Sequence, residues 1–289
     1  MAESVTLVTG ASGFLGKAVM KLLAENSQPA IGLDPRPSLT TQVVDTLSDR
    51  PKLKNLLAKE KVTHIIHAGG VSGPMVLADD PVEVIAINVL GSLNLLYAAL
   101  ESGVSTFVYC SSAAMLGNFY EDEAVDEQYP LRPNNTYSAS KAAIEMVLRG
   151  LWGKVPLDLC SLRFTVIYGP GRETTFTVEE IVRAALAGKS LRIQPMTDWP
   201  YVYIDDAPRA RLSRPASQKV GSNLVISLHT LKKSPPTTSR RRQPQRAVRC
   251  TSRLMAPSQR PHGARSISSL PRAISGFARK SVIAKGFAV

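Results

Sequence analysis

The chain has 289 residues, 44% hydrophobic and 20% charged, with a mean hydropathy of −0.01, which excludes both a disordered polyampholyte and a bundle of membrane spans. Its formal net charge is +12, but residues 1–206 carry 17 Lys+Arg against 23 Asp+Glu, and residues 207–289 carry 18 Lys+Arg and no acid. The basicity therefore belongs to the last part of the chain alone, and the first part reads as an ordinary acidic domain.

Within the first 206 residues, short β-branched runs alternate with helical patterns. Strands are predicted at Val5–Val8, Ala30–Leu33, Gln42–Val44, Val62–Ile66, Thr106–Cys110 and Leu157–Leu162, and their apolar density suits burial on both faces. Apolar residues at three- and four-residue intervals predict helices over Phe14–Glu25, Lys52–Lys59, Val82–Leu100, Tyr137–Leu151 and Val178–Ala187. Alternation of this kind gives an α/β fold, a doubly wound parallel sheet. Such a sheet binds ligands beyond the carboxyl ends of its strands, where the strand order reverses. Motifs at strand ends thus carry the functional argument.

The first strand runs into Gly10-Ala11-Ser12-Gly13-Phe14-Leu15-Gly16 and then directly into a helix. Glycines there permit a tight turn, admit a pyrophosphate close to the backbone and let the helix pack on the sheet, while the helix N-terminus offers free N–H groups. The second strand ends in Asp34, 18 residues after Gly16, where a carboxylate accepts hydrogen bonds from both adenosine ribose hydroxyls and repels a 2′-phosphate. NAD is therefore favoured over NADP, although Arg36, two residues on, could hold that phosphate. Asp45, ending the third strand, is placed either to meet the adenine edge or to cap its own loop.

In the helix predicted from Tyr137, the phenol of Tyr137 and the ammonium of Lys141 are four residues apart and share a face. A tyrosine titrates near ~10, so a nearby cation is needed before it can act as a base at neutral pH. Asn135 or Thr136 can cap this helix. At another strand end, Ser111-Ser112 present two hydroxyls; Ser112 could fix a substrate oxygen while Tyr137 moves its proton, though serines at strand ends are also common turn formers.

In this order and spacing, the glycine turn, the serine after the fifth strand and Tyr137-x-x-x-Lys141 resemble the extended short-chain dehydrogenase/reductases, the NAD-dependent epimerase/dehydratase group. His67-Ala68-Gly69-Gly70, the stretch from Asn88 to Leu96, Leu162-Arg163-Phe164 running to Tyr168-Gly169-Pro170, and Tyr203-Ile204-Asp205-Asp206 look like the same family, over residues 4 to about 210. The resemblance implies a Rossmann fold over residues 1–170, with Ser112, Tyr137 and Lys141 catalytic and Ser111 supporting. It implies that the cofactor is held by Gly10, Ser12, Gly13, Phe14, Leu15, Gly16, Asp34, Asp45, His67, Ala68, Gly69, Asn88, Tyr137 and Lys141. Asn88 would line the cofactor site; His67 is more often a packed turn residue than a proton donor. The function implied is hydride transfer at a carbinol of a small sugar, polyol or hydroxy-acid substrate, the alternative being a protein that binds NAD without turnover.

Two positions depart from the family. Leu116 stands where a tyrosine precedes Gly117, and Val166 stands where an asparagine faces the substrate phosphates in sugar-nucleotide epimerases. The second favours a smaller substrate over a nucleotide sugar. Residues 171–210 would be a partial substrate lobe, incomplete or atypical, with one more strand possible in Val220–Leu228. Residues 211–289 form a basic, Ser/Arg/Pro-rich tail expected to be poorly ordered. It reads as a solvated extension, as an arm for nucleic acid or another anionic surface, or as out-of-frame translation. The absence of any acid favours the last, and nucleic acid is not the expected partner.

Cys110, Cys160 and Cys250 form no CxxC, and His64, His67, His229 and His262 form no HExxH, so neither a disulfide framework nor a metal is expected. No run of 18 apolar residues and no leader pattern occurs, which makes a cytoplasmic protein without a membrane partner the expectation. Apolar stripes on Val82–Leu100 and Tyr137–Leu151 predict a homodimer through paired helices.

Overall fold

The computed structural model describes residues 4–117, 125, 127–174, 177–189, 201–209 and 225–228, all within the unit Met1–Arg246. The expectations for the tail beyond residue 228 lie outside the described residues.

Seven parallel strands form one sheet in the order β3-β2-β1-β4-β5-β6-β9: β1 (Val5–Thr9), β2 (Ala30–Asp34), β3 (Val43–Val44), β4 (Val62–His67), β5 (Thr106–Ser112), β6 (Asp158–Phe164) and β9 (Val225–Leu228). Strand order reverses between β1 and β4, so the crevice of a doubly wound sheet opens at Thr9 and His67, which pair across the ladder. The last strand falls inside the predicted Val220–Leu228 and extends the sheet beside β6, with Cys160 opposite Val225. Both β7 (Val166–Tyr168) and β8 (Tyr201–Tyr203) lie apart as a two-stranded parallel sheet.

Side chains alternate along each strand, and both faces are apolar. Leu7, Leu33, Ile65, Phe107 and Leu159 pack on one face against Leu53 and Leu57 of α2 (Arg50–Lys59), Leu95 and Leu96 of α4 (Ser92–Glu101), and Ile144 and Leu148 of α5 (Thr136–Leu151). Their neighbours Val8 and Ile66 turn to the other face, against Val19, Met20 and Leu23 of α1 (Phe14–Glu25). Farther along that face, Val108, Cys160 and Leu162 meet Val202 and Ala207.

The boundaries have local causes. Helix α2 starts two residues before its predicted Lys52, because Asp49 accepts a hydrogen bond from Lys52 N and Pro51 fits the first turn. Strands β5 and β6 outrun their predicted ends by two residues each, since Ser111 and Ser112 continue the ladder opposite Arg163 and Phe164. The predicted helix from Val82 is observed as α3 (Pro81–Ile85), a π-helical turn over Ala86–Gly91, and α4. Together Pro81–Glu101 is long and apolar enough to cross a membrane by length and composition, but its inner residues here belong to the core against the sheet. One further helix, α6 (Thr177–Leu186), follows β7.

Candidate active site

The glycine turn is built by close backbone contacts. Gly10 has φ +71°, and a side chain on it would come within 2.6 Å of Gly69 N, so the loops after β1 and β4 touch across the crevice. A Cβ on Gly16 would collide with the carbonyl of Gly10, which is why the helix can pack this close to the turn. Gly13 is the N-cap of α1, with no side-chain cap and no acid in the first turn, so the N–H groups of Phe14 and Leu15 receive no cap from a side chain. Among the described residues, the only heavy atom within 4 Å of an added Cβ at Gly13, its chain neighbours aside, is Gly10 O at 3.1 Å. Donors left uncapped at a helix N-terminus fit a pyrophosphate.

Asp34 ends β2 and is buried. One carboxylate oxygen accepts from Ser12 N (3.2 Å) and the other from Arg36 N (2.9 Å). Ser12 Oγ meanwhile holds the following loop, donating to Arg36 O (2.5 Å) and meeting Thr41 Oγ1 (2.7 Å). Ser12 thus shapes the loop after β2 through its hydroxyl as well as its amide. Asp45 is pinned in its loop: it accepts from Thr46 N (2.8 Å) and pairs with Lys52 at 2.5 Å, and the Lys52 contact holds its carboxyl below the usual range.

At the other end of the crevice stands α5. Asn135, not Thr136, caps it: its side chain accepts from Ser138 N (2.9 Å), while Ser138 Oγ accepts from Asn135 N (3.2 Å). This fixes the first turn and with it Tyr137. The Ser112 hydroxyl lies close enough to the Tyr137 phenol to favour its charged form. Lys141, one turn on and buried, donates to the carbonyl of Cys110 (3.0 Å), and its ammonium lies 4.9 Å from the Tyr109 ring centre. The three predicted side chains therefore converge on the end of β5.

Their electrostatics differ from the sequence reading in one respect. Burial raises Tyr137 above the ordinary phenol value, opposed by the Ser112 hydroxyl and by the positive charge of Arg172. The cation felt at the phenol is thus Arg172; burial lowers its own value, opposed by the charges of Glu179 and Tyr137. Lys141 directs its ammonium to the β5 backbone instead, and burial pulls it down to about 8. Arg172 was missed because a lone arginine after Tyr168-Gly169-Pro170-Gly171 has no local pattern; only the turn brings it to α5.

A buried polar chain ties these elements together. His67 Nδ1 meets Thr9 Oγ1 (2.6 Å) and its Nε2 meets Ser92 Oγ (2.8 Å). With both nitrogens engaged inside the core, burial followed by the Lys141 charge pushes His67 down to about 3, so it stays neutral. Ser92 Oγ donates to Asn88 O (2.5 Å), and the Asn88 amide binds both Val71 backbone groups and Ser140 Oγ (2.9 Å). Ser140 Oγ in turn donates to Tyr137 O (2.7 Å). Asn88 lies in the π turn, whose extra residue carries its amide between the loop after β4 and α5. Its contacts clamp the helix of Tyr137 to the crevice.

Beneath lies a fully buried ion pair. Arg163 Nη2 and Nε reach Glu145 of α5 at 2.5 and 3.1 Å, with Ser161 Oγ (3.1 Å) and Arg149 (3.4 Å) completing the carboxylate. It locks α5 to β6, and Ser111 Oγ, 3.5 Å from Glu145, ties in β5. This pair too was invisible in sequence, its members being 18 residues apart on different elements. Of the two departures, Leu116 is wholly buried among Met115, Tyr129 and Ala142, and Val166 begins β7.

A doubly wound sheet with an uncapped glycine turn, a carboxylate at the end of β2 and a Tyr-Lys helix beside β5 defines a dinucleotide-binding protein of the short-chain dehydrogenase type. The comparisons make the assignment narrower. The sequence profile of the NAD dependent epimerase/dehydratase family matches residues 6–225, and the chain belongs to that family, whose cofactor is NAD. UDP-glucuronate 4-epimerase 6 of Arabidopsis thaliana is 29% identical over 223 residues, covering 69% of this chain and 48% of its own length. UDP-glucose 4-epimerase of Mycolicibacterium smegmatis is 28% identical, covering 70% of each. The structure of Thermus thermophilus UDP-glucose 4-epimerase in complex with NAD superposes with a TM-score of 0.64 at 29% identity, over 72% of this chain and 73% of that one. The chain thus spans about half the length of the plant epimerase.

Proposed function

We propose that this chain catalyses reversible oxidation of a carbinol with NAD, with Tyr137 as acid/base. Bound NAD would supply the hydride acceptor, held by the glycine turn, the α1 N-terminus and Asp34. Tyr137 takes the proton of the substrate hydroxyl and returns it when the carbonyl is reduced; Ser112 holds the same oxygen in line. Lys141 anchors the nicotinamide ribose from the β5 backbone, and Arg172 favours the phenolate. The observation that carries this reading is the convergence of α5 on the carboxyl end of β5, where Lys141 donates to the carbonyl of Cys110 (3.0 Å) and the Ser112 hydroxyl acts on the Tyr137 phenol.

For the substrate we infer a sugar, polyol or hydroxy acid. Support comes from the epimerase relatives for a sugar-type carbinol, and from Val166, at the position where sugar-nucleotide epimerases carry the asparagine that faces the substrate phosphates, for a substrate smaller than a nucleotide sugar. The test is titration of the purified chain with NAD, then a screen of free sugars, polyols, hydroxy acids and UDP-glucose both for NADH absorbance and, by chromatography, for an epimerised product formed without net NADH. Turnover only with UDP-glucose would reverse the substrate inference; NAD binding without any turnover would favour a non-catalytic binder, a reading that the raised Tyr137 supports.

A homodimer is proposed through α3–α4 and α5, which leave Val82, Leu90, Tyr97 and Met146 exposed. Light scattering that finds only monomer would reject it.

A further inference from the structure

The loop after β7 carries a second charged residue beside Arg172. Glu173 Oε2 lies 3.2 Å from Arg36 Nη1, and its other oxygen 3.9 Å from Lys17 Nζ of α1. Arg36 is also 3.7 Å from Asp34, so its guanidinium sits between two carboxylates, one from the end of β2 and one from 137 residues farther along the chain. The loop is held in shape from within: Arg172 donates to both Thr174 O (3.1 Å) and Thr174 Oγ1 (3.0 Å), and also to Ile167 O, bracketing Glu173.

A 2′-phosphate on the adenosine ribose would enter beside Asp34, and Arg36 is the guanidinium available to receive it. In this structure that guanidinium is already shared, and Lys17 is turned toward the same glutamate. The local charge is two carboxylates against two cations, which leaves no net attraction for a dianion. We propose that Glu173 is a specificity-determining residue, selecting NAD over NADP by holding Arg36 and Lys17 away from the 2′ position. This rests on the NAD-binding reading above and adds to it a residue outside the dinucleotide fold's own glycine turn and β2 acid.

Arg36 and Glu173 are about half and two-thirds exposed, so solvent and salt screen their interaction and the effect is moderate. The experiment is fluorescence titration of the full chain with NADH and NADPH at low salt, for wild type, Glu173→Gln, Arg36→Ala and the double variant. Glu173→Gln is expected to tighten NADPH by about three- to tenfold and leave NADH within about twofold, the gain fading at high salt. In the double variant the gain should vanish. If wild type binds neither nucleotide, the NAD reading itself fails. If it binds NADH and Glu173→Gln leaves the NADPH-to-NADH ratio unchanged, or if the gain survives without Arg36, the proposal is overturned while the NAD reading stands.

Discussion

Tyr137, in the first turn of α5, stands close enough to Ser112, the last residue of β5, for the serine hydroxyl to oppose the burial-driven rise of the phenol, so that a helix start and a strand end present two hydroxyls at one point. A substrate oxygen reaching both would have its proton path and its orientation set together. Replacing Tyr137 by Phe removes the proton carrier and keeps the ring. We expect kcat to fall by about a hundred- to ten-thousandfold, with NADH affinity within about twofold of wild type. Stopped-flow assay and fluorescence titration on the same preparation check both halves. Equal losses in binding and turnover would place Tyr137 in the cofactor's scaffold only.

Arg172 offers a separate handle on the same phenol. Its charge favours the phenolate, so removing it should raise the Tyr137 pKa. In the oxidative direction the rate rises as Tyr137 loses its proton. The rising limb of kcat/KM against pH is therefore expected to move to higher pH by up to about one unit in Arg172→Ala. Arg172→Lys should keep most of the wild-type position, because the charge remains.

The glycine turn gives a contrast between fold and ligand. Gly16→Ala drives a methyl into the Gly10 carbonyl, backbone against backbone, and should destabilise the chain by about 2 kcal/mol or more. Gly13→Ala brings its methyl to 3.1 Å from Gly10 O, a tight contact but far short of the overlap at Gly16, so its melting temperature should fall less than that of Gly16→Ala. Its methyl would stand in the space offered to a pyrophosphate, and NADH affinity should drop at least about tenfold. Thermal unfolding and NADH titration of the two variants read the two effects apart.

His67 makes acid stability testable. Its folded value, about 3, is below the ordinary 6.5, so below pH 6.5 the unfolded chain binds a proton that the folded chain refuses. The contribution of neutral His67 is complete above pH 6.5 and is lost progressively as pH falls toward 3, by an amount on the order of a few kcal/mol. Urea unfolding between pH 7 and pH 4 should show this loss. His67→Gln, which cannot charge, should flatten the slope even though it is less stable at pH 7.

How much of this could be read from sequence follows from the range of each interaction. Helix α1 was legible to the residue, since its apolar spacing and the glycine turn are written within a dozen neighbours. Each core strand was found for the same reason, and strands fell short only where pairing extended them, as at Ser111 and Ser112. The π turn was hidden because its apolar spacing still reads as helix; what imposes it is the fit of Asn88 between Val71 and Ser140.

The chain's own order of residues determined the glycine turn, the Asp34 carboxylate and the four-residue step from Tyr137 to Lys141, because each is set by backbone geometry over one turn or one strand. Tertiary structure alone decided which cation's charge acts on the phenol, where the Lys141 ammonium goes, and that Glu145 meets Arg163 in the core. Coulomb and hydrogen-bond partners are chosen by distance in space, and folding brings Arg172 to Tyr137 and Glu173 to Arg36 across separations that no local pattern records.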